Sequence, residues 1–490
     1  MPRVAFPHSG QHTNVGEFSL TGEHAAQVVN LLLDEQKAYS TRPGLLYWVN
    51  PEDAGAGLAG TTDQKIIGLA EFQDRVIAVR GNRRIFAIDS AGARLDLDTY
   101  LTGWDDPTFL EDDNGRLLIF GGGAPVEITP GIVAGPAASG WSPSATHGAI
   151  VDRTLILNDK GSDRIYTSAV DDHRHFMNTD TFDQSGAGFF TAGTRSDEVT
   201  AMVGVRNTLL VFGPSSVELW YGTGDSNFPF RLDANPIPSD LLAPRSVVST
   251  GSGVYWLDSA RSIVRLQGRE TQEVSLAVAA QLEGLSAVED CIGHEVNLPG
   301  HHLVTFTFPA AGLTLCYAPR LDAWTEWRRW DVTTGTWAAM PMRAYVHQTE
   351  WNRHFCSGRS NGTVYELSAT TYQDHNAPLV RLWRGPFLEH GSVAVKGSSR
   401  LQWVVDGGVA QSYTTTSEGY DPVIEVRWQD ESRRWTEFRR VRLGLIGERG
   451  TVRGINRLGD YRRRQYEWRC SAPVPLRVAR VEEDVEQRER

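Results

Sequence analysis

Seven stretches of this chain repeat one pattern: an apolar run, a turn usually carrying Gly, Asn or Asp, and a second run that alternates or ends on an aromatic. They read DRVIAVRGNRRIFAID (74–89), GRLLIFGGGAPVEIT (115–129), RTLILNDKGSDRIYTS (153–168), NTLLVFGPSSVELWY (207–221), GVYWLDSARSIVRLQG (253–268), HLVTFTFPAAGLTLCY (302–317) and RHFCSGRSNGTVYELS (353–368). Turn chemistry and flanking runs make each a β-hairpin. Their starts lie 38 to 54 residues apart, the period of four-stranded propeller blades. A solenoid of helix pairs shares that period, but only 22–39 and 270–285 carry helical periodicity. The expected fold is therefore all-β, a propeller of six or seven blades over 46–375. Radial stacking buries both faces of a blade, which explains inner strands that are apolar throughout.

After residue 376 the pattern changes to longer, alternating strands such as SVAVKGSSRLQWVV and DPVIEVRWQDESRRWTEFRRVRLG. One apolar face answers one of Arg and Glu, so a C-terminal antiparallel β-sandwich-like domain is expected over 376–490. Its last segment, VEEDVEQRER, is charged without an apolar stripe and reads as an acidic tail that frays. Residues 1–45 are expected to form an N-terminal arm, partly helical. The abundance of glycine (48) and tryptophan (15) suits many short strands joined by tight turns.

A net charge of −12 excludes a surface that grips nucleic acid all over, since phosphate binding needs Lys and Arg. The balance is uneven. Arg433, Arg434, Arg439, Arg440, Arg442, Arg462, Arg463 and Arg464 crowd the C-terminal part, while lysine occurs only at 37, 65, 160 and 396. Interleaved with Trp428, Trp435, Tyr461, Tyr466 and Trp468, those arginines suit either stacking on bases or the solvated face of a sheet that meets a partner protein. Cys291, Cys316, Cys356 and Cys470 are scattered, with no CxxC and no zinc-ligand spacing, as in a protein folded in a reducing compartment. The N-terminus lacks the basic, apolar and small-residue succession of a secretory signal, and no stretch has the length of a membrane span.

Candidate chemistry is sparse. In DDHRHF (171–176), Asp171, Asp172, His173 and His175 are metal-ligand types, yet neighbours on one loop need partners from elsewhere, and a polar connection between blades is the expected role. The carboxylates of TGWDDPTF and FLEDDNG (102–115) are the residue types of a glycosidase pair, but they precede Pro and Gly and read as turn residues. FGGGAP (120–125) precedes no helix, so it lacks the aligned amides of a phosphate cradle. QDESRRWTEF (429–438) resembles the Asp-box turn of sialidase-like propellers, a hairpin marker. The Phe228-Pro229-Phe230 loop is expected to be a rigid inter-blade connection with an aromatic at a subunit contact. No nucleophile elbow occurs. No catalytic, cofactor-binding or metal residue is assigned, no cofactor is expected, and the protein is read as not an enzyme.

With a propeller in view, VELWYGTGDSNFPFRLD (217–233), GVRNTLLVFGPSS (204–216) and SVVSTGSGVYWLDSARSIVRLQG (246–268) resemble the tail hub proteins of short-tailed bacteriophages, also called nozzle or packaged-DNA-stabilisation proteins. NLLLDEQKAYSTRPGLLYW (30–48) is similar to that family's opening, and 425–475 to its ending, above all Leu443 to Gly447 and Asn456, Arg457, Leu458 and Gly459. Matching order runs from about residue 30 to 480. The departures are the shortened Asp-box-like turn and the N-terminal segment. The resemblance implies a structural virion protein of a podovirus tail, assembled in the host bacterial cytoplasm as a homohexamer below the portal. Its implied partners are the adaptor (head-to-tail connector) ring, a tail needle, fibre or tailspike proteins, and double-stranded DNA that passes through the lumen without sequence-specific binding, with no membrane contact. Such a ring helps retain the packaged genome and guides its ejection. Six copies would carry roughly −72, a wall that repels phosphates so that a duplex slides. The alternatives are a carbohydrate-binding or glycan-cleaving tail propeller and a DNA-binding module using the Arg-rich end.

Overall fold

The computed structural model describes residues 3–6, 9–14, 24–50, 65–137, 141–193, 197–225, 229–235, 237–358, 362–406, 409–411, 419–431, 434–448 and 452–488. Each of the seven hairpins forms the two middle strands of a four-stranded antiparallel blade, so the propeller has seven blades. In blade 1 the order is Ile66–Phe72, Arg75–Arg80, Arg84–Ile88 and Arg94–Tyr100. The inner strands of blades 2 to 7 are Thr108–Glu111, Gly148–Val151, Ala201–Val205, Val248–Thr250, Ile292–Leu298 and Ala344–Gln348. The middle strands are apolar on both faces because both faces are covered: every residue of Leu117–Phe120 and Thr154–Asn158 is buried. A shared apolar cluster joins each blade to the next. Ile77 and Val79 of blade 1 pack with Leu117 and Ile119 of blade 2, and the ring closes where Ile66 and Leu69 of blade 1 meet Val346 and Phe355 of blade 7.

Blade 7 takes its outer strand from far upstream. Gly44–Val49 pairs antiparallel with Val364–Ser368, with Leu45 opposite Leu367. Gly44 is required there, since a Cβ would sit 2.4 Å from the carbonyl oxygens of Thr371 and Gln373. The residues just before this strand tie the propeller to the C-terminal unit. Gln27–Val29 lies between the outer strand of blade 6, Ala323–Asp331, to which it runs parallel, and Arg381–Leu388, to which it runs antiparallel. Blade 6 thereby continues without a break into the C-terminal domain as one ten-stranded sheet ending at Arg439–Arg442. A second sheet orders Leu31–Leu33, Tyr39–Thr41, Arg477–Gln487, Lys396–Val405 and Val452–Tyr461. The two sheets enclose a core in which Trp383, Trp403, Trp428 and Trp468 are buried.

At the junction Arg42 and Asp374 form an ion pair with no exposed side-chain surface on either residue. Every donor of Arg42 is used. Nε donates to Asn30 Oδ1 at 2.7 Å, Nη1 to Pro43 O at 2.8 Å and Asp374 Oδ1 at 3.0 Å, and Nη2 to Arg328 O at 3.1 Å and Asp374 Oδ2 at 2.6 Å. A single guanidinium thus connects the N-terminal segment, blade 6 and the strand leaving blade 7.

Two expectations are corrected. The N-terminal arm is not partly helical among its described residues: the periodicity of 22–39 belongs to three short strands, in which Leu31, Leu32 and Leu33 are all buried because both sides of the strand are covered. A helix-like spacing of apolar residues arose from strands broken at Asn30, whose φ is 57°. Nor does the acidic tail fray over its described residues, 481–488. Arg477–Gln487 is a strand paired on both sides, with Val481, Glu483 and Val485 buried; Glu483 is tolerated there because its carboxylate accepts from Tyr461 at 3.0 Å and from Tyr466 at 2.5 Å. In 270–285 only Ala279–Glu283 is α-helical.

Candidate functional site

All seven blades, through or just ahead of their inner strands, line a channel along the propeller axis, with a cavity of about 610 Å³. Where those strands begin, the channel widens into a funnel of about 800 Å³. The loops entering the inner strands bring the funnel's charges: Lys65 before blade 1, Asp105 and Asp106 before blade 2, Glu198 before blade 4, Arg245 before blade 5, Glu289 and Asp290 before blade 6, and Arg343 before blade 7. Blade 3 contributes Lys160 and blade 1 also Arg83, each from the turn of its hairpin.

Asp106 is the hub. Its Oδ2 lies 2.9 Å from Arg245 Nη1 and 2.6 Å from Arg343 Nη2, and Oδ1 accepts from Arg343 Nη2 at 2.8 Å. Burial pushes this carboxyl up, but the pull of Arg245 and Arg343 outweighs it and holds Asp106 below the usual carboxylate range. Asp105 pairs with Lys160 at 2.7 Å. Arg83 donates to the carbonyls of Trp104 and Asp105, and its guanidinium stacks 5.5 Å from the Trp104 ring, which stands 83% exposed on the rim. A carboxylate from blade 2 therefore reaches guanidiniums of blades 5 and 7, and at this height the axis is bridged by side chains.

FGGGAP explains how that loop is held. Asp105 N donates to Gly121 O at 3.0 Å, and a Cβ on Gly122, where φ is +80°, would lie 1.9 Å from Asp105 Oδ2. The three glycines are a bed for the 102–105 loop, in keeping with their having no helix to serve. The expectation of turn duty for 102–115 is corrected in part. Asp112 does hold a turn, accepting from the amides of Asn114 at 3.0 Å and Arg116 at 2.8 Å, whereas Asp105 and Asp106 are funnel residues.

Below the funnel neck sit His147 and His294. Burial, reinforced by the charge of Arg245, lowers each to about 4. The unfolded chain takes up these protons near the ordinary histidine value, so this contribution to stability is complete above about pH 6.5 and is lost as the pH falls toward 4. Thermal unfolding followed from pH 7 to 4.5 will show a falling Tm, and the double variant H147Q/H294Q will flatten that slope.

The other sequence candidates separate. Strand alternation along Asp172–Phe176 sends His173 inward, with Nδ1 3.2 Å from Asp112 Oδ2, while His175 meets Asp183 at 3.2 Å and Asp171 pairs with Arg153 at 3.2 Å. These four residues do not converge on one point. Phe228 lies outside the described residues. Phe230 is a core residue against Phe190 at 5.8 Å. The hairpin reading of 429–438 fits the pairing of Val423–Asp430 with Arg439–Arg442. Arg433 lies outside the described residues; the arginines around it interlock with aromatics and acids, Arg427 lying 4.8 Å over Trp435 and Glu467 bridging Arg384 and Arg427 at 2.6 Å each. Sequence reading missed Arg83, Arg245 and Arg343. The signal was present for two of them, since a charged residue one to three positions ahead of the inner strand recurs in six blades.

Comparison with known proteins gives the family. No curated protein matches the sequence. Among solved structures the chain is similar to virginiamycin B lyase from Staphylococcus aureus, at 9% identity over 64% of this chain and 97% of that one with a TM-score of 0.43. It is also similar to the WD40 domain of Neurospora crassa Pan2, at 6% identity over 67% and 94% with a TM-score of 0.42. Residues 151–372, from the end of the inner strand of blade 3 to the exit of blade 7, match the phage-stabilisation family described as Bacteriophage P22 Gp10, beta-propeller. Over those residues the chain carries the beta-propeller of the phage-stabilisation family, that of Bacteriophage P22 Gp10.

Proposed function

We propose that this protein is a structural, non-enzymatic subunit of a podovirus tail hub, joining as a closed ring of six below the portal and adaptor. In this reading the ring encloses the DNA exit, holds the packaged genome back and guides its ejection. The observation that carries it is the match of blades 3 to 7 to the phage-stabilisation family. Three physical features support it. The ten-stranded sheet runs unbroken from the propeller into the C-terminal domain, a continuous link that suits head-to-tail packing around an axis. Charge is segregated, with 27 Lys and Arg against 44 Asp and Glu in 1–375 and 21 against 16 in 376–490, so acidic propellers can repel DNA while basic sandwiches meet acidic neighbours. The ion pairs across the propeller axis support a conduit that lies between subunits and not through one propeller.

Electron microscopy of the purified protein with its adaptor ring tests this. Closed six-membered rings with an open centre are expected at the portal vertex. Solitary subunits in intact particles, or a position away from that vertex, would overturn the proposal.

A further inference from the structure

Around the funnel the charges alternate in sign from blade to blade: Lys65 and Arg83, Asp106, Lys160, Glu198, Arg245, Asp290, Arg343. Alternation cannot close around an odd number of blades. The like-charged seam falls between blades 7 and 1, where Arg343 and Arg83 are neighbours, and it is positive. The carboxylates nearby are already engaged: Asp105 by Lys160, and Asp290 by the amide of Ala310 at 2.8 Å. Among the described carboxylates Asp106 alone pairs with Arg245 and Arg343, and its field also reaches Arg83. Arg245 is engaged through Nη1 alone and Arg343 through Nη2 alone among the described residues. The Nε donors of Arg83 and Arg343 are buried without an acceptor, a costly state for a charged group.

We propose that the funnel mouth is an anion-binding site, in which Arg83, Arg245, Arg343 and Lys65 take a carboxylate or phosphate group of a small ligand and Asp106 is its internal competitor. The volume of about 800 Å³ is that of a small-molecule site, and guanidiniums with free nitrogens suit planar, multiply bonded oxyanions. Trp104 at the rim, fixed by its glycine bed, offers a flat apolar surface to the rest of the ligand. The inference is independent of the ring proposal, because the funnel is complete within one chain.

The test uses the full-length protein at fixed ionic strength, titrated with inorganic phosphate and with citrate, chloride serving as control, and read by calorimetry and by the shift in Tm. Saturable binding of either oxyanion supports the site, and the anion preferred distinguishes phosphate from carboxylate ligands. D106N is expected to tighten binding about tenfold, the equivalent of one charge-assisted contact released to the ligand. K65Q, which breaks no ion pair among the described residues, is expected to weaken it several-fold with an unchanged circular dichroism spectrum. No saturable binding in wild type and D106N alike, or tightening by D106N that K65Q does not reduce, overturns the proposal.

Discussion

Replacing Arg42 with methionine will lower the unfolding free energy by about 3–5 kcal/mol, because it leaves Asp374 as an uncompensated charge in a place with no water. Asp374 and Arg42 have no exposed side-chain surface, and all five guanidinium donors are used. The double variant R42M/D374L removes both charges and is expected to recover most of that loss, since an apolar pair of similar volume has nothing to desolvate. Urea unfolding of the three proteins measures the difference. The same curves report on mechanical unity: wild type should unfold propeller and sandwich in one transition, while R42M should separate them by loosening the point where the N-terminal segment, Arg328 and Asp374 meet. If R42M loses less than about 1 kcal/mol, the junction is not what holds the two units together.

Deleting residues 1–49 will have the larger effect still. It removes the outer strand of blade 7, the strand Gln27–Val29 that bridges blade 6 to Arg381–Leu388, and the strands Leu31–Leu33 and Tyr39–Thr41 at the edge of the second sheet. Leu31, Leu32, Leu33, Tyr39 and Leu45, all buried, would leave apolar surface and open strand edges on both domains. The shortened protein should lack a sharp thermal transition, bind a hydrophobic dye and aggregate, whereas the intact chain should do none of these below its Tm. A truncated protein with a normal transition would show that closure of the ring does not need these strands.

The propeller was legible because hairpins are local. Turn residues and apolar runs within sixteen residues set each middle pair, and the near-regular period then demanded radial stacking. Even the glycines of 121–123, unexplained as a phosphate cradle, were a local clue, though their purpose appears only with the loop at 102–105 laid against them. What could not be read was non-local. Nothing in LLLDEQKAYS tells a reader that Tyr39 and Ser40 pair with residues more than four hundred positions later, so its apolar spacing reads as helical. Glu483 reads as tail solvation because Tyr461, Tyr466 and His390, which surround it, come from other parts of the chain. The funnel failed to appear for a similar reason: Asp106, Arg245 and Arg343 lie far apart in sequence and meet only because a ring brings blades 2, 5 and 7 to a common axis.

The strands between residues 27 and 49 have a consequence for how the protein is made. These residues leave the ribosome early, yet their partners lie at 323–331, 364–368, 381–388 and 477–487. Synthesis must therefore reach residues 477 and 478 before Tyr39 and Ser40 can pair with them. A chain lacking these partners would leave blade 7 without its pairing and the second sheet with an open edge. Closure of the propeller and of the second sheet thus waits for the last-made of these strands.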